Sequence, residues 1–342
     1  MPPSGVSRAA TPRGDDPRHS PRLSAGRVVV CGDVINDVLV EPCAEVVRGS
    51  DTVSVITARP GGSAANQAAW LGHLGADVVF AGRCGARDVG YHRRELERFG
   101  VRAVLAADPD VETGSIVIMV SPDGERTMYT DRGANLRLRR ADVPAGLLDG
   151  AAVLHVTGYL FFAAPLVPVA LSLIADARSR GMAVTVDPGS AAFLAGLAPG
   201  EFVDWTAGAA VCFPNLDEAA VLTGLDARDP AAMAAALTKY YGAVVLKLGG
   251  AGCVLAAPDS DPVQFVAHPA DVRDTTGAGD AFCAAFLSKW LSAPTTSAPA
   301  SSAPALSVAA LSATALSATA QFAIAVAATA VTHLGGRPPI PR

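Results

Sequence analysis

From residue 27 onward the hydrophobic positions fall into two alternating rhythms. Short, β-branched runs at 27–31, 77–81, 152–156, 183–186, 210–213 and 243–247 are apolar at most positions, the pattern of strands buried on both faces. Between them lie stretches with helical spacing at 64–73, 91–99, 165–180, 216–222 and 230–241. Strands alternating with helices predict βαβ units and a mostly parallel sheet flanked by helices on both sides, an α/β fold.

Two segments break this rhythm. Residues 37–57 and 112–130 are rich in strand formers, with no helical stretch between the strands. In the second, Ser121-Pro122-Asp123-Gly124 separates 115–120 from 126–130 and reads as a hairpin turn. Together they predict a small projecting β-sheet, serving as a lid over a cleft, an oligomerisation surface or both. The expected organisation is one domain over 27–342, with lid segments at about 38–60 and 111–135.

The first 26 residues are rich in Arg, Pro, Ser and Asp and lack an apolar centre, so a disordered tail is expected rather than a secretory signal. Asp15 and Asp16 speak against an organelle address. The Ala/Ser/Leu stretch after Ser302 is interrupted by Ser307, Ser312, Thr314, Ser317 and Thr319. It lacks the roughly 20 consecutive apolar residues of a membrane span, and a buried or amphipathic helix is expected. The low-complexity residues 292–305 read as a flexible loop before it.

Composition then removes several classes. In 342 residues, 50% are hydrophobic and 17% charged, enough for a sizeable core. A net charge of -5 without a basic run argues against a nucleic-acid surface. The six cysteines (Cys31, Cys43, Cys84, Cys212, Cys253, Cys283) show no metal-ligand or disulfide spacing, which fits a reducing cytoplasm.

The strongest chemical signal is Asp274-Thr275-Thr276-Gly277-Ala278-Gly279-Asp280-Ala281-Phe282, just ahead of an apolar helical pattern at 281–290. Glycines two apart at a helix N-terminus direct free N–H groups and the helix dipole toward an anion. In phosphoryl transfer, negative charge spreads over the equatorial oxygens, so Gly277, Ala278 and Gly279 would form an anion hole. Asp280, in the first turn, is placed to accept a hydroxyl proton as that oxygen attacks. The plainer alternative has Asp280 capping its helix; the full nine-residue string favours the catalytic reading.

A second signal is Gly61-Gly62-Ser63-Ala64-Ala65-Asn66-Gln67-Ala68. Paired glycines let a ligand approach the backbone, and the Asn66 amide can both donate to and accept from hydroxyls. Asp37, in Gly32-Asp33-Val34-Ile35-Asn36-Asp37, follows the first strand, where doubly wound sheets gather ligands; Asp33 and Asn36 share that loop and the role. Asn215-Leu216-Asp217-Glu218 opens a helix after a strand. Asn215 would reach a phosphate and Glu218 would hold Mg²⁺ through water, or Glu218 is an ordinary helix N-terminal acid. Lys247-Leu248-Gly249-Gly250-Ala251-Gly252 shapes a nucleotide pocket or simply links two strands. No G-x-x-x-x-G-K-[ST] loop and no G-x-G-x-x-G after the first strand occur, which excludes a P-loop and disfavours a dinucleotide site.

Together these motifs resemble the ribokinase-like (PfkB) carbohydrate kinase family, over about residues 27–341. The resemblance implies a three-layer α/β core with a β-sheet lid, ATP with Mg²⁺, a sugar or sugar-like substrate and a lid-mediated homodimer. It implies Asp280 as base beside a Gly277–Gly279 anion hole, and Asp37, Gly61, Gly62 and Asn66 around the sugar. Asn215, Lys247, Gly249 and Gly252 would line the nucleotide site, with Glu218 in an Asn-x-x-Glu magnesium and phosphate motif. The string from Ala330 to Pro339 resembles a monovalent-cation segment, in which Asp274, Thr276, Ala330, His333 and Gly335 would offer oxygens for K⁺. Pro339 stands where ribokinase has a serine, which puts potassium activation in doubt.

The acceptor is less defined. Where ribokinase carries a ribose-contacting glutamate, this chain reads Thr157-Gly158-Tyr159-Leu160, with no acid. Arg126, Asp131 and Arg132 lie on the lid. Arg132 over the pocket would pair with a carboxylate, such as that of 2-keto-3-deoxygluconate, or stand as a solvated lid charge. A nucleoside acceptor is the alternative, with Tyr159, Phe161 and Phe162 stacking a base or filling the core. A non-catalytic sugar-binding protein is the remaining alternative.

Overall fold

The computed structural model describes residues 26–120, 126–293 and 313–340. The expected N-terminal tail, the turn at 121–124 and most of the loop at 292–305 lie outside the described residues.

In chain order the first elements are β1 (Arg27–Cys31), β2 (Ile35–Pro42), β3 (Ser54–Gly61), α1 (Ser63–His73), β4 (Val78–Gly85), α2 (Val89–Glu97) and β5 (Arg102–Asp108). The lid resumes with β6 (Thr113–Val120) and β7 (Arg126–Gly133). The core continues through β8 (Ala151–Thr157), α3 (Val167–Ser179), β9 (Ala183–Asp187), α4 (Ala191–Leu194), α5 (Glu201–Thr206), β10 (Val211–Cys212) and α6 (Leu216–Thr223). It ends with α7 (Pro230–Leu237), β11 (Val244–Lys247), β12 (Cys253–Ala256), β13 (Val263–Phe265), α8 (Ala278–Ser292) and α9 (Ala313–Ala330).

The large sheet has the order β13-β12-β11-β10-β9-β8-β1-β4-β5. It is parallel from β5 to β11, and β12 and β13 add an antiparallel edge. Alternation along each strand builds two cores. Val28 and Val30 pack with α1, α8 and α9 on one face, whereas Val29 and Cys31 pack with α3, α6 and α7 on the other. Each such side chain, once buried, contributes about 1.5–3 kcal/mol, so charged groups are displaced to the strand ends. That displacement places the site.

The expected three-layer fold is present. Three strands were not anticipated: β5, whose apolar run opens on Arg102, and the short antiparallel pair β12 and β13. Helix α8 begins three residues ahead of the apolar pattern that announces it, at Ala278. The smaller sheet runs β3-β2-β6-β7, with β2 and β6 parallel and both outer pairs antiparallel. Its period of two sends Ile35, Asp37, Ile116, Ile118 and Arg132 to one cavity beneath it, and leaves Ile56 and Tyr129 exposed on the other face. Asp37 therefore sits within lid strand β2, not in a loop as its neighbourhood suggested. Asn36 points the other way and donates to Asp88 Oδ2 at 2.9 Å. Among the described residues, no helix is long and apolar enough to cross a membrane.

Candidate active site

The carboxyl ends of the parallel strands converge on one cleft, the expected ligand position in a doubly wound sheet. Asp33 follows β1, Tyr159 follows β8, Asp187 ends β9, Asn215 follows β10 and Lys247 ends β11. Two cavities open here. The larger, about 490 Å³, is lined by Asn215, Lys247, Gly249, Gly252, Ala278 and Gly279, among others. The smaller, about 110 Å³, lies under the lid and includes Asp37, Gly62, Asn66, Arg132, Gly277 and Asp280. Residues 275–280 are the wall between them: Thr275, Ala278 and Gly279 face one side, Thr276, Gly277 and Asp280 the other.

Asp280 does not cap its own helix. Its carboxylate crosses to α1, where Oδ1 accepts from Ser63 Oγ at 2.7 Å and Gln67 Nε2 at 3.1 Å, and Oδ2 accepts from Asn66 Nδ2 at 3.1 Å. Burial pushes its pKa up to about 7, against the lowering effect of the Ser63 bond and with a further push from Asp187. A carboxylate tuned near neutrality is matched to general base work. Among the described residues Asn66 Oδ1 is buried without a partner, an acceptor available to a hydroxyl.

Glycine is required twice at this wall. Gly277 has φ 74°, and a Cβ there would lie 2.4 Å from Gly336 Cα. A Cβ on Gly61 would lie 2.0 Å from Asp37 Oδ2, so Gly61 makes room for that carboxylate. Of the three proposed anion-hole amides, the Ala278 N–H turns back to Thr275 O at 3.2 Å.

On the other side, Lys247 Nζ pairs with Asp187 Oδ1 at 3.0 Å, both side chains being nearly buried. Burial works against the lysine charge, but Asp187, Cys283 and Glu218 hold it on and raise its pKa. A Cβ on Gly279 would meet Lys247 Nζ at 3.5 Å, so the ammonium stands beside the start of α8. Asp187 Oδ2 also accepts from Gln67 Nε2 at 2.9 Å, which joins the two halves of the cleft. The sequence reading missed Ser63, Gln67 and Asp187 as site residues. Asp187 did carry a signal, an acid directly after a buried strand.

Glu218 is held in a reciprocal capping box. Its N–H donates to Asn215 Oδ1 at 2.8 Å, and its carboxylate accepts from Asn215 N at 2.8 Å and Nδ2 at 2.9 Å. Burial pushes its pKa up to about 7, opposed by Lys247 and reinforced by Asp187. Its helix-terminal role is thus present in full. Gly249 and Gly252 both link β11 to β12 and line the larger cavity.

The lid carries the remaining candidates. Burial pushes Asp37 up to about 7, with Asp33 adding and Arg337 opposing. Arg132 is only 9% exposed, which corrects its reading as a solvated lid charge. Phe161 is buried against Trp205 in the core and does not reach the pocket, whereas Tyr159 does. Near the C-terminus, Asp274 Oδ1 accepts from Thr276 N at 2.7 Å and Oδ2 from Gly335 N at 2.8 Å. Backbone bonds to Val331 add to this junction, and His333 Nε2 lies 3.3 Å from Arg337 O. Ala330 ends α9 beside it.

A three-layer parallel core with a four-stranded lid and a divided cleft defines a ribokinase-like protein. A sequence profile of the pfkB family of carbohydrate kinases matches residues 25–342, and the chain belongs to that family. It is 29% identical over 235 residues to a bifunctional ribokinase/ribose-5-phosphate isomerase A of Fructilactobacillus sanfranciscensis, covering 67% of this chain and 42% of that protein. The chain therefore spans less than half of that relative. It is 30% identical over 245 residues to an ATP-dependent ribose-1-phosphate kinase of Halopiger xanaduensis, covering 68% of this chain and 73% of the relative. The solved adenosine kinase of Sinorhizobium meliloti superposes with a TM-score of 0.76 over 92% of this chain and 96% of that one, at 21% identity. That likeness speaks for the fold.

Proposed function

We propose that this chain transfers the terminal phosphoryl group of ATP to a hydroxyl of a sugar or sugar-like acceptor. The observation that carries this reading is the shared wall: residues 275–280 face a large cavity on one side and, on the other, a cavity of about 110 Å³ on which Asp37, Asn66, Arg132 and Asp280 converge. Two substrates bound on either side would meet at Gly277, Gly279 and Asp280. Family membership and the name of the ribose-1-phosphate kinase relative point the same way.

In the proposed mechanism, ATP occupies the larger cavity along Asn215, Lys247, Gly249 and Gly252. The acceptor lies under the lid against Asp37, Gly61, Gly62, Asn66 and Arg132. Asp280 takes the proton of the attacking hydroxyl; the acceptor oxygen bonds to the γ-phosphorus, and the bond from that phosphorus to the bridging oxygen breaks, leaving ADP. N–H groups at the start of α8, including those of Gly277 and Gly279, and the Lys247 ammonium oppose the charge on the moving phosphoryl group. Ala278 contributes by fixing the turn.

No group of three or more His, Cys, Asp or Glu side chains that would hold a metal occurs among the described residues. Glu218 would be the residue to hold a Mg²⁺, through water. When bound, Mg²⁺ neutralises phosphate charge. Asp274, Thr276, Ala330, His333 and Gly335 are proposed to offer oxygens to a monovalent cation, a reading supported by the Asp274–Gly335 bridge. Exposed Val53, Val55, Ile56 and Tyr129 on the lid support a homodimer through that sheet. Six free cysteines, five of them buried, support a cytoplasmic setting.

The test is ATP consumption across neutral sugars, sugar acids, sugar phosphates and nucleosides, with the product followed by phosphorus NMR. The reading requires a new phosphate ester and stoichiometric ADP; ATP hydrolysis without an ester, or no turnover on any acceptor, counts against it.

A further inference from the structure

The guanidinium of Arg132 is a charge without a settled partner inside the acceptor cavity. Strand β7 delivers it to the inner lid face, where it lies over the Tyr159 ring, 5.5 Å from the centroid. The residue is 9% exposed, and Nη1 is buried with no hydrogen-bond partner among the described residues. Its charge is felt by Asp33, yet among the described residues the two form no ion pair. Asp33 Oδ1 lies instead 3.5 Å from Ala64 N and from Thr157 Oγ1. A buried cation left unpaired is costly unless something else completes it. Of the other two carboxylates of the cavity, Asp280 is held by α1, and Asp37 is drawn toward neutrality by burial and by Asp33, with Arg337 opposing.

We propose that Arg132 completes its hydrogen bonding with an oxyanion of the acceptor, so that the preferred substrate is an anionic carbohydrate. Its hydroxyl faces Asp280, while its carboxylate or phosphate lies under β7. Arg132 is the specificity-determining group, and Tyr159 is the platform that keeps its planar fork aimed into the cavity. A bidentate guanidinium–oxyanion pair is favoured over one to a neutral hydroxyl because both partners are charged and the site is largely closed to water. This deepens the kinase reading and rests on it.

The test measures kcat/KM for ribose, fructose, adenosine, gluconate, 2-keto-3-deoxygluconate and ribose 1-phosphate, in the wild type, Arg132→Gln and Arg132→Lys. Melting temperatures with each acceptor in the absence of ATP give a second readout. We expect an anionic acceptor to be preferred in the wild type. Arg132→Gln should lower its kcat/KM by about 10- to 100-fold, mainly through KM, with a clearly smaller loss on neutral acceptors, and Arg132→Lys should recover part of the loss. Gluconate and 2-keto-3-deoxygluconate against ribose 1-phosphate distinguish a carboxylate from a phosphate. Preference for a neutral acceptor, or equal losses on neutral and anionic acceptors, overturns the proposal. Arg132-dependent thermal stabilisation by an acid without any turnover would uphold anion recognition while removing the kinase reading.

Discussion

Ser63 Oγ donates a 2.7 Å hydrogen bond to Asp280 Oδ1, across 217 residues of chain. The bond stabilises the ionised carboxylate and so opposes the burial that pushes Asp280 up to about 7. A hydroxyl on the first residue of α1 would thereby set the working pH of the base proposed on α8. Removing it has a direction that can be stated. In Ser63→Ala the Asp280 pKa rises further, by roughly 1 unit for the loss of one charge-assisted bond. The acid limb of kcat/KM against pH moves up accordingly, with about tenfold less activity below the new pKa and recovery well above it. An unchanged profile would detach Ser63 from the base.

The same burial carries a cost in stability. A carboxyl whose folded pKa is raised above its unfolded value near 4 stabilises the fold while protonated, and loses that contribution as pH rises through about 7. Asp280→Asn cannot ionise. Its melting temperature relative to wild type should therefore climb between pH 4 and pH 8, whatever the offset at pH 4. Thermal melts at both pH values decide this, and a gap independent of pH would mean that Asp280 titrates as an ordinary carboxyl.

Lys247 and Asp187 form a nearly enclosed pair, 3.0 Å apart. Lys247→Met leaves the Asp187 carboxylate buried with only Gln67 and Cys283 as donors, at a cost of about 3–5 kcal/mol. Urea unfolding of both proteins measures it. A second effect is expected in weaker ATP binding, because the lysine stands at the start of α8. A loss below about 1 kcal/mol would show that the pair is not a structural member of the cleft.

What the sequence made legible follows from distance along the chain. The glycine turn ahead of α8 and the helix start at Asn215–Glu218 are local, closed within a few residues, and their residue types announce them. The strands were legible because burial on both faces forces continuous apolar runs, except at the edge strand β5, which opens on Arg102, and at the short β12 and β13. Ser63, Gln67 and Asp187 were not legible as site residues, since Gln67 meets Asp187 across 120 residues and Asp280 across 213. Arg132 shows the same limit. Period two assigns it to a face of β7, but only the folded lid reveals that the face is covered.

The most direct measurement is the single-turnover rate of phosphoryl transfer in Asp280→Asn, with ATP binding measured alongside. The account predicts a loss of roughly 10²- to 10⁴-fold in rate with ATP affinity nearly unchanged, because the substituted amide keeps the shape of the wall but cannot take the proton. A variant that transfers phosphate at close to the wild-type rate would contradict it.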